Sequence, residues 1–344
     1  MSTVLVTGGC GFIGSNFVRY ALKAHPDWRI VNLDKLTYAG NPENLKDIEA
    51  DAGLSSRYRF AQGDIADAEL VEKLFAEEKF DYAFNFAAET HVDRSIGDPA
   101  DFIRTDVYGT YVLLEAAKQH GLKRFVQIST DEVYGSIEEG SFTEKDILTP
   151  SNPYSASKCG ADRLAYSYFA TYGSDVIVTR ASTNYGPYQY PEKLIPLFVT
   201  NALDDLPLPL YGDGKNIRDW LHVVDHCSAL DFALQHGKAG EVYNIGGGNE
   251  RMNVEITGII LKTLGKPDSL IKHVEDRKGH DRRYSVSIEK LKGLGWKPAH
   301  DFETAIVDTI RWYENNRLWW EPIKSGEYKD YYKKMYAERL ETAG

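Results

Sequence analysis

The sequence predicts an α/β protein that combines a Rossmann-type, doubly wound parallel sheet with a smaller mixed α/β lobe toward the C-terminus. Short apolar runs alternate with helical patterns up to about residue 180, which is typical of parallel strands joined by helices. A glycine cluster follows the first of these runs and opens a helical stretch. Beyond residue 180 the pattern changes, because prolines and turn residues are concentrated between positions 186 and 214.

The individual elements follow from the hydrophobic periodicity. Apolar runs bounded by turn residues predict strands at 4–6, 29–34, 58–62, 82–86, 124–129 and 176–180. Helical patterns lie between them, notably at 12–22, 99–120 and 154–172. We expect one later strand, at 242–245, to rejoin the sheet. In such sheets ligands bind beyond the carboxyl ends of the strands, so residues at those ends are the candidates for function.

The composition argues against several classes of protein. The 344 residues carry a net charge of -11, which disfavours a general nucleic-acid-binding surface. The N-terminal residues lack the pattern of a secretory signal, and no apolar run approaches the ~20 residues of a membrane-spanning helix. Cys10, Cys159 and Cys227 are scattered without metal or disulfide spacing. We therefore expect a cytoplasmic protein that binds no membrane and no nucleic acid.

The first glycine cluster has the pattern of a dinucleotide-binding turn. Gly9-x-Gly11-x-x-Gly14, with Gly8 before it, lies between a predicted strand and a predicted helix. Glycines there let the backbone approach a pyrophosphate at the helix N-terminus. Asp34 lies twenty residues after Gly14, at the end of the next strand, where an acid hydrogen-bonds the adenosine ribose and favours NAD over NADP. A turn that serves only packing is the alternative, which this context disfavours.

Further contacts with a cofactor are expected from position alone. Asp64 follows the third strand and could face the adenine. Ala87 and Ala88 follow the fourth strand and are small enough to let a cofactor pass. Each of these could equally be a solvated loop acid or a packing alanine. Lys35, beside the acid that favours NAD, weakens that preference slightly.

A tyrosine and a lysine four residues apart form a candidate catalytic pair. Tyr154 and Lys158 lie on one face of a helix that residues 151–153 begin. A free tyrosine has a pKa of about 10, and we expect the ammonium and a positively charged nicotinamide ring to lower it. The pair could then remove a hydroxyl proton while hydride leaves the same carbon. The pattern alone is weak, but here it follows a dinucleotide-binding turn and a strand ending in Ser129 and Thr130.

These motifs resemble the extended short-chain dehydrogenase/reductase superfamily, members of which act on nucleotide sugars. Within it the chain is most similar to the dTDP-glucose 4,6-dehydratase family, and the resemblance covers nearly the whole chain. The matching segments are STDEVYG at 129–135, AAETHVDRS at 87–95, NYGPYQYPEKLIP at 184–196, YGDGKNIRDWLHVVDH at 211–226, YNIGGGNERMN at 243–253 and GHDRRY at 279–284. The resemblance implies a lyase that converts dTDP-D-glucose into dTDP-4-keto-6-deoxy-D-glucose and water.

Two adjacent acids, Asp131 and Glu132, are surplus to a simple oxidation. An elimination of water needs one base and one acid on neighbouring carbons, and two close carboxyl groups push their pKa values apart. By resemblance Glu132 is the base at carbon 5, Asp131 the acid at carbon 6, and Thr130 the partner of the carbon-4 hydroxyl. Tyr154 is then the oxidation base and Lys158 its modulator. The alternative is that Asp131 caps a turn and Glu132 faces solvent.

The resemblance also assigns the two ligands, NAD and a nucleotide-diphosphate sugar. The residues expected to bind NAD are Gly8, Gly11, Phe12, Ile13, Gly14, Asp34, Lys35, Leu36, Thr37, Asp64, Ile65, Ala87, Ala88, Glu89, Thr90, Thr105, Ser129, Tyr154, Lys158 and Tyr185. Those expected to bind the sugar nucleotide are His91, Thr130, Asn184, Lys193, Leu194, Pro209, Leu210, Tyr211, Arg218, Asn253, Arg277 and His280. Arg218 is the best physical candidate for the diphosphate. The basic run at 277–283 could instead be a solvated loop.

The resemblance further predicts an NAD-binding domain over residues 1–182, rejoined by about 215–248, and a mainly sugar-nucleotide-binding lobe over 183–344. It implies a homodimer in which the helices near 99–120 and 154–172 pack across a two-fold axis. No metal is expected, because His222 and His226 lack a third ligand at suitable spacing. The alternatives are the same reaction on UDP-glucose or another nucleotide sugar, a nucleotide-sugar 4-epimerase, and an NAD-sensing regulator without activity.

Overall fold

The computed structural model describes residues 1–341, in which strands and helices alternate as predicted. The strands are β1 (Ser2–Thr7), β2 (Trp28–Asp34), β3 (Tyr58–Gln62), β4 (Tyr82–Asn85), β5 (Arg124–Thr130), β6 (Val176–Ala181), β7 (Thr183–Tyr185), β8 (Leu208–Tyr211), β9 (Ile217–His222), β10 (Val242–Ile245), β11 (Glu250–Met252) and β12 (Ile271–Val274). The predicted lobe over 183–344 extends into positions 342–344, which lie outside the described residues.

The helices cover both faces of the sheet and fill the second lobe. They are α1 (Phe12–Ala24), α2 (Lys46–Ala50), α3 (Ala52–Ser55), α4 (Ala68–Glu78), α5 (Val92–Gly97), α6 (Ala100–Phe102), α7 (Thr110–Gln119), α8 (Pro153–Tyr172), α9 (Leu194–Leu203), α10 (Val223–His236), α11 (Asn253–Leu264), α12 (Glu289–Leu294), α13 (Phe302–Asn315), α14 (Arg317–Trp320) and α15 (Glu327–Glu341). A π-helical segment, Ile103–Gly109, joins α6 to α7. No helix within residues 1–341 is long and apolar enough to cross a membrane.

Seven strands form one parallel sheet in the order β10-β6-β5-β4-β1-β2-β3. The inner strand β1 is an apolar run, with Val4, Leu5 and Val6 buried, because helices lie on both faces of the sheet. From β1 the chain runs outward through β2 and β3 and then returns to β4 on the other side of β1. This reversal opens a crevice beyond the carboxyl ends of the strands, where such sheets bind ligands. The predicted fold class is confirmed.

The predicted elements agree closely with the observed ones. The strands at 58–62 and 242–245 have the predicted bounds, and β10 joins the main sheet beside β6 as expected. The single helix predicted over 99–120 is instead α6, the π-helical segment and α7 in succession. How the whole chain divides into two domains remains a prediction.

The second lobe contains two small sheets packed against helices. One sheet has the order β11-β9-β7, and the other pairs β12 with β8. Aromatic residues near the C-terminus connect this lobe to the first one. Trp319 Nε1 donates to Asn44 Oδ1 in the first lobe at 2.8 Å. The Tyr313 hydroxyl donates to the carbonyl of Gly186, which holds the aromatic end against the rest of the second lobe.

Helix α8 begins at a strong N-terminal cap. The Asn152 side chain accepts from the Ser155 amide, the Asn152 amide donates back to the Ser155 hydroxyl, and Pro153 occupies the first turn. This cap fixes the first two turns of α8, which carry Tyr154 and Lys158. The helix start predicted from the sequence at 151–153 is confirmed.

A buried ion pair joins α8 to β6. Arg180 Nε and Nη2 donate to the carboxylate of Asp162 at 2.8 and 3.0 Å, and both side chains are almost fully buried. Arg180 Nη1 also donates to the Tyr134 hydroxyl at 2.7 Å, which in turn donates to Asn244 Oδ1 in β10. Tyr134 ends the short 3-10 turn Asp131–Tyr134 that follows β5. The network therefore fixes that turn relative to α8.

Candidate active site

A cleft of about 300 Å³ crosses the carboxyl ends of the central strands. Residues from the ends of β1, β2, β4, β5 and β6 line it, together with the first turns of α1 and α8. One half of the cleft contains the glycine turn and the acids that follow β2 and β3. The other half contains the 3-10 turn after β5 and the Tyr154–Lys158 pair. The structure thus brings the two predicted groups of residues into one cavity.

The glycine turn forms a cradle that side chains would fill. Gly8 has a φ of +67°, which favours glycine, and a Cβ there would lie 2.8 Å from the Ala87 nitrogen. A Cβ on Gly14 would lie 2.3 Å from the Gly8 carbonyl oxygen. Helix α1 begins after Gly11, and no side chain caps it. Its first residues line the cleft, so its free amides are available to a ligand there. A cradle of this kind fits a pyrophosphate group.

Asp34 lines the cleft at the end of β2 and also holds the glycine turn in place. Its carboxylate accepts hydrogen bonds from the amides of Cys10 and Leu36, each at 2.8 Å. Burial raises the pKa of Asp34, and the two amide hydrogen bonds oppose that shift. The side chain therefore has a fixed direction before any ligand binds. An acid fixed in this position suits a ribose hydroxyl.

Asp64 and Lys35 form an ion pair at the edge of the same half of the cleft. Their side chains are 2.8 Å apart, and Asp64 also accepts from the Ala66 amide at 2.9 Å. Burial raises the pKa of Asp64, but the Lys35 hydrogen bond and the Ala66 amide outweigh it, so the net shift is downward. Lys35 is thus paired with an acid inside the cleft.

Tyr154, Thr130 and Lys158 meet at the other half of the cleft. Lys158 is buried and its Nζ donates to the Ile128 carbonyl at 2.7 Å. Burial lowers the pKa of Lys158, while the charges of Asp106 and Asp162 raise it. The ammonium is therefore held by a backbone carbonyl of β5.

The lowering of the Tyr154 pKa that we expect from the ammonium and a bound nicotinamide ring starts from a raised value in the protein alone. Burial raises the pKa of Tyr154 well above 10, and the negative charges of Glu132, Asp106 and Asp131 raise it further. Only a hydrogen bond with Thr130 acts in the opposite direction. The sequence pattern indicates the ammonium and the nicotinamide ring, but not the desolvation or the effect of the three carboxyl groups. A positive charge on a bound nicotinamide ring would oppose these effects.

The two adjacent acids have different environments. Asp131 is only 3 % exposed, and its Oδ2 atom has no hydrogen-bond partner among the described residues. Burial raises the pKa of Asp131 well above its ordinary value, and the neighbouring Glu132 charge adds to the shift. Glu132 lies partly exposed on the cleft wall, with Oε2 at 3.3 Å from the Tyr284 hydroxyl. Neither acid is a simple turn cap, because Thr130 Oγ1 accepts from the Glu132 amide.

Cations from the second lobe surround Glu132. The charges of Lys193, Arg218 and Arg277 each interact with it. Arg218 is buried beneath the face of the Tyr284 ring, 4.2 Å from its centre. Lys193 Nζ donates to the Thr90 carbonyl at 2.6 Å. Positive charge is thus concentrated around Glu132, at the wall of the cleft and just outside it, in a chain of net charge -11.

Most of the residues predicted to bind NAD line the cleft, but two do not. Leu36 and Tyr185 are absent from its wall, and Tyr185 is buried against Trp220 and Phe302. Of the residues predicted to bind the sugar nucleotide, only Thr130, Asn184 and Lys193 line it. The others lie outside its wall, at His91, Leu194, Pro209, Leu210, Tyr211, Arg218, Asn253, Arg277 and His280. Their binding roles stay predictions.

Several residues of the site carried no signal in the sequence. Asp106, Glu192 and His226 are buried polar groups in or beside the cleft. Glu192 accepts from Arg94 Nε at 3.2 Å, and His226 Nδ1 is 2.9 Å from Asn184 Oδ1. In the sequence, the spacing of His222 and His226 suggests nothing beyond a candidate pair of metal ligands. Within residues 1–341 no group of three His, Cys, Asp or Glu side chains could hold a metal ion.

The fold and the cleft define the class of protein. A glycine cradle facing a buried acid, opposite a tyrosine and a lysine on one helix turn, is the arrangement of NAD-dependent short-chain dehydrogenases and reductases. The residues present fit NAD, because the cradle leaves no room for side chains at Gly8 and Gly14. Comparison with known proteins agrees with this class and identifies the family within it.

A family model described as GDP-mannose 4,6 dehydratase matches residues 5–309. A dTDP-glucose 4,6-dehydratase from Streptomyces antibioticus is 54 % identical over 327 residues, which cover 93 % of this chain and 95 % of that protein. The crystal structure of DesIV, a dTDP-glucose 4,6-dehydratase from Streptomyces venezuelae with NAD and TYD bound, is 52 % identical with a TM-score of 0.90. That comparison covers 94 % of this chain and 100 % of the other.

A UDP-glucose 4-epimerase from Thermotoga maritima, solved with UDP-glucose, is more distant. It is 28 % identical with a TM-score of 0.84, over 92 % of this chain and 99 % of the other. The chain belongs to the nucleotide-sugar 4,6-dehydratase family, in the group that contains the dTDP-glucose 4,6-dehydratases. It is an NAD-dependent enzyme.

The substitution Gly14→Ala tests the cradle. We expect the affinity for NAD to fall at least about tenfold, since a displacement of the turn that costs about 1.4 kcal/mol changes affinity by that factor. The measurement is calorimetric titration of NAD into protein stripped of nucleotide. Gly258→Ala in α11 is the matched control, because a Cβ there meets no atom within 4 Å. An unchanged NAD affinity in a folded Gly14→Ala protein would contradict the assignment.

Proposed function

We propose that this protein is a dTDP-glucose 4,6-dehydratase. It converts dTDP-D-glucose into dTDP-4-keto-6-deoxy-D-glucose and water. The observation that carries the proposal is the pair of acids after β5, of which Asp131 is buried with an unpartnered oxygen and Glu132 lies on the cleft wall opposite Tyr154. The relatives of about half identity with this activity support the same conclusion.

The oxidation at carbon 4 uses Tyr154, Thr130 and Lys158. NAD bound against the glycine turn and Asp34 would supply the hydride acceptor for carbon 4 and the hydride donor for carbon 6, while carbon 5 regains the proton that Glu132 has taken. Tyr154 takes the proton of the carbon-4 hydroxyl, and Thr130, which hydrogen-bonds with Tyr154, orients that hydroxyl. The Lys158 ammonium lies on the same helix face and stabilises the phenolate. The carbonyl of Ile128 holds the ammonium in place.

The elimination across carbons 5 and 6 uses the two acids. The ketone at carbon 4 makes the proton on carbon 5 acidic, and Glu132 removes it. The hydroxyl on carbon 6 leaves as water after Asp131 donates a proton to it. Burial raises the pKa of Asp131 well above its ordinary value, so this group keeps the proton that it has to give. The different burial of the two neighbours thus separates their roles.

The cations around Glu132 suit the diphosphate of the substrate. Guanidinium groups offer paired donors to phosphate oxygens, and Arg218 and Arg277 face the same region as Lys193. Arg277 Nε is buried without a hydrogen-bond partner among residues 1–341. A buried, unpartnered donor is open to a ligand oxygen. The alternative substrates are the UDP sugars, which carry uracil in place of thymine.

A panel of nucleotide sugars tests the substrate assignment. We expect loss of water from dTDP-glucose, measured by mass spectrometry, at a kcat/KM at least about tenfold above that for UDP-, CDP- and GDP-hexoses. Product that absorbs in alkali identifies the 4-keto-6-deoxy sugar. Faster turnover of UDP-glucose would reassign the substrate. Formation of UDP-galactose without loss of water would show an epimerase, and NAD binding without turnover of any sugar would show a regulator.

The variants Asp131→Asn and Glu132→Gln test the division of roles between the acids. We expect each to lower the rate of water loss by about 100-fold or more, since general acid and base groups contribute at least that much. Hydride removal at carbon 4, followed by the absorbance of NADH, should continue in both. Glu139→Gln, an exposed carboxylate on the following loop, is the control. Unchanged water loss in a folded variant, or loss of hydride removal together with water loss, would refute the roles.

We infer that two copies associate through the helices near 99–120 and 154–172. Large apolar side chains are exposed on this face, at Ile103, Tyr108, Tyr111, Tyr166 and Tyr172. Monomeric proteins seldom expose a cluster of this size, and the face belongs to the helices that the family resemblance places at a two-fold axis.

The double substitution Tyr108→Glu/Tyr111→Glu tests this interface. Dimer formation by the variant would bury the two introduced carboxylates of each subunit without a partner. We therefore expect the unaltered protein to be a dimer and the variant to be a monomer at micromolar concentration. Sedimentation velocity measures both. Leu318→Glu is the control, because Leu318 is also exposed but lies on α14, away from this face. A monomeric unaltered protein would contradict the interface.

We also place the protein in a reducing compartment. Cys10 and Cys227 are buried and form no disulfide, and burial raises the pKa of the Cys10 thiol to about 12 and that of the Cys227 thiol well above its usual range. Such thiols are unreactive and act as small apolar side chains. This agrees with the cytoplasmic location expected from the sequence.

A further inference from the structure

Asp106 is a buried acid beside the catalytic pair that the mechanism above does not use. It lies in the π-helical segment between α6 and α7 and is 1 % exposed. Its Oδ2 accepts from the Ser157 hydroxyl at 2.6 Å, and its Oδ1 accepts from the Glu89 amide at 2.9 Å. Ser157 directly precedes Lys158 in α8, and Glu89 lies in the cleft after β4. One carboxylate thus connects the cofactor side of the cleft to the catalytic helix.

The charged and titratable groups that face Asp106 come from two elements. From α8 these are Lys158 and Tyr154, whose charges interact with the Asp106 carboxylate. From the segment after β4 it is Glu89, whose pKa is raised to about 7, first by burial and then by the charge of Asp106. Asp162 also acts on Lys158, but Arg180 neutralises it. Asp106 is therefore a buried negative charge near Lys158, and no residue from 1 to 341 forms an ion pair in contact with it.

We propose that Asp106 is a positioning residue whose negative charge sets the pH range over which Tyr154 and Lys158 act together. The inference rests on the proposed function, because it assigns a role within that reaction. The carboxylate touches neither ring nor ammonium, so it acts through its field and through the hydrogen bonds that hold Ser157 and Glu89. It favours the ammonium form of Lys158 and opposes the phenolate form of Tyr154.

The charge of Asp106 shifts the pKa of Tyr154 and the pKa of Lys158 in the same direction. A negative charge raises the pKa of any neighbour, so its removal lowers the pKa of Tyr154 and the pKa of Lys158 together. Tyr154 must lose a proton to act, which sets the acid limb of the pH profile. Lys158 must keep its proton, which sets the alkaline limb. Burial raises the pKa of Asp106 itself to about 6, so the charge is present above that pH.

Asparagine separates the charge of Asp106 from its hydrogen bonds. In Asp106→Asn the side-chain oxygen can still accept from the Glu89 amide, and the new NH₂ group can donate to the Ser157 oxygen. The Ser157 hydroxyl can then donate to the Tyr154 carbonyl, from which it lies 2.8 Å. Ser157→Ala is the matched variant, because it removes the hydrogen bond and leaves the charge. Thermal melting checks that both variants are folded.

The first experiment is the pH dependence of kcat/KM for dTDP-glucose with NAD bound. In Asp106→Asn we expect both limbs to move to lower pH by about one unit, which is the size of shift that one nearby buried charge produces. Ser157→Ala should keep both limbs of the unaltered enzyme. Limbs that do not move in Asp106→Asn overturn the proposal. So does the same movement in Ser157→Ala, which would assign the effect to the hydrogen bond.

The second experiment needs no turnover, so it distinguishes failure of this inference from failure of the proposed function. Carbon-13 NMR of protein labelled at its aspartate carboxyl groups follows each titration, and Asp106→Asn identifies the signal of Asp106. We expect a midpoint near pH 6 that rises further in Ser157→Ala, because the lost hydrogen bond favours the charged form. A signal showing that Asp106 stays protonated across the pH range in which the enzyme works would overturn the proposal even if the enzyme dehydrates dTDP-glucose, because the carboxyl group would then carry no charge.

Discussion

The site depends on the buried ion pair between Arg180 in β6 and Asp162 in α8. Removing two charges from water is costly unless good geometry and further hydrogen bonds compensate for it. Here Arg180 makes two bonds to the carboxylate and a third to the Tyr134 hydroxyl. Because Tyr134 ends the turn that carries both acids, and Asp162 lies one turn beyond Lys158, the pair fixes the acids relative to the catalytic helix. The positions of the two acids relative to Tyr154 and Lys158 therefore depend on this network.

With these positions fixed, burial dominates the electrostatics of the cleft. It raises the pKa of Asp131 and Tyr154 and lowers the pKa of Lys158. Each of these shifts disfavours the charged form of its group. A ligand that brings positive charge on one side and phosphate on the other changes that balance. The chemistry is therefore coupled to the arrival of both NAD and the sugar nucleotide.

The sequence predicted those features that depend on local pattern. The strands at 58–62 and 242–245, the cap before α8 and the glycine turn are each encoded within a few residues. Asp106 was not found, because one polar residue inside a helical pattern carries no sign of its partners. Its role arises where the π-helical segment packs on α8, and such contacts are set by tertiary structure. The raised pKa of Tyr154 in the protein alone could not be predicted for the same reason, since its burial and the carboxyl groups that act on it are set by tertiary contacts.

The adjacency of Asp131 and Glu132 is itself what makes their environments differ. They open a 3-10 turn, in which successive side chains point about a third of a turn apart. One of them therefore points into the interior beside Thr130, and the next points across the cleft toward Tyr284. Two acids on alternate positions of a strand would share a face and an environment. A tight turn at the end of β5 thus yields a buried acid and an open base from neighbouring residues.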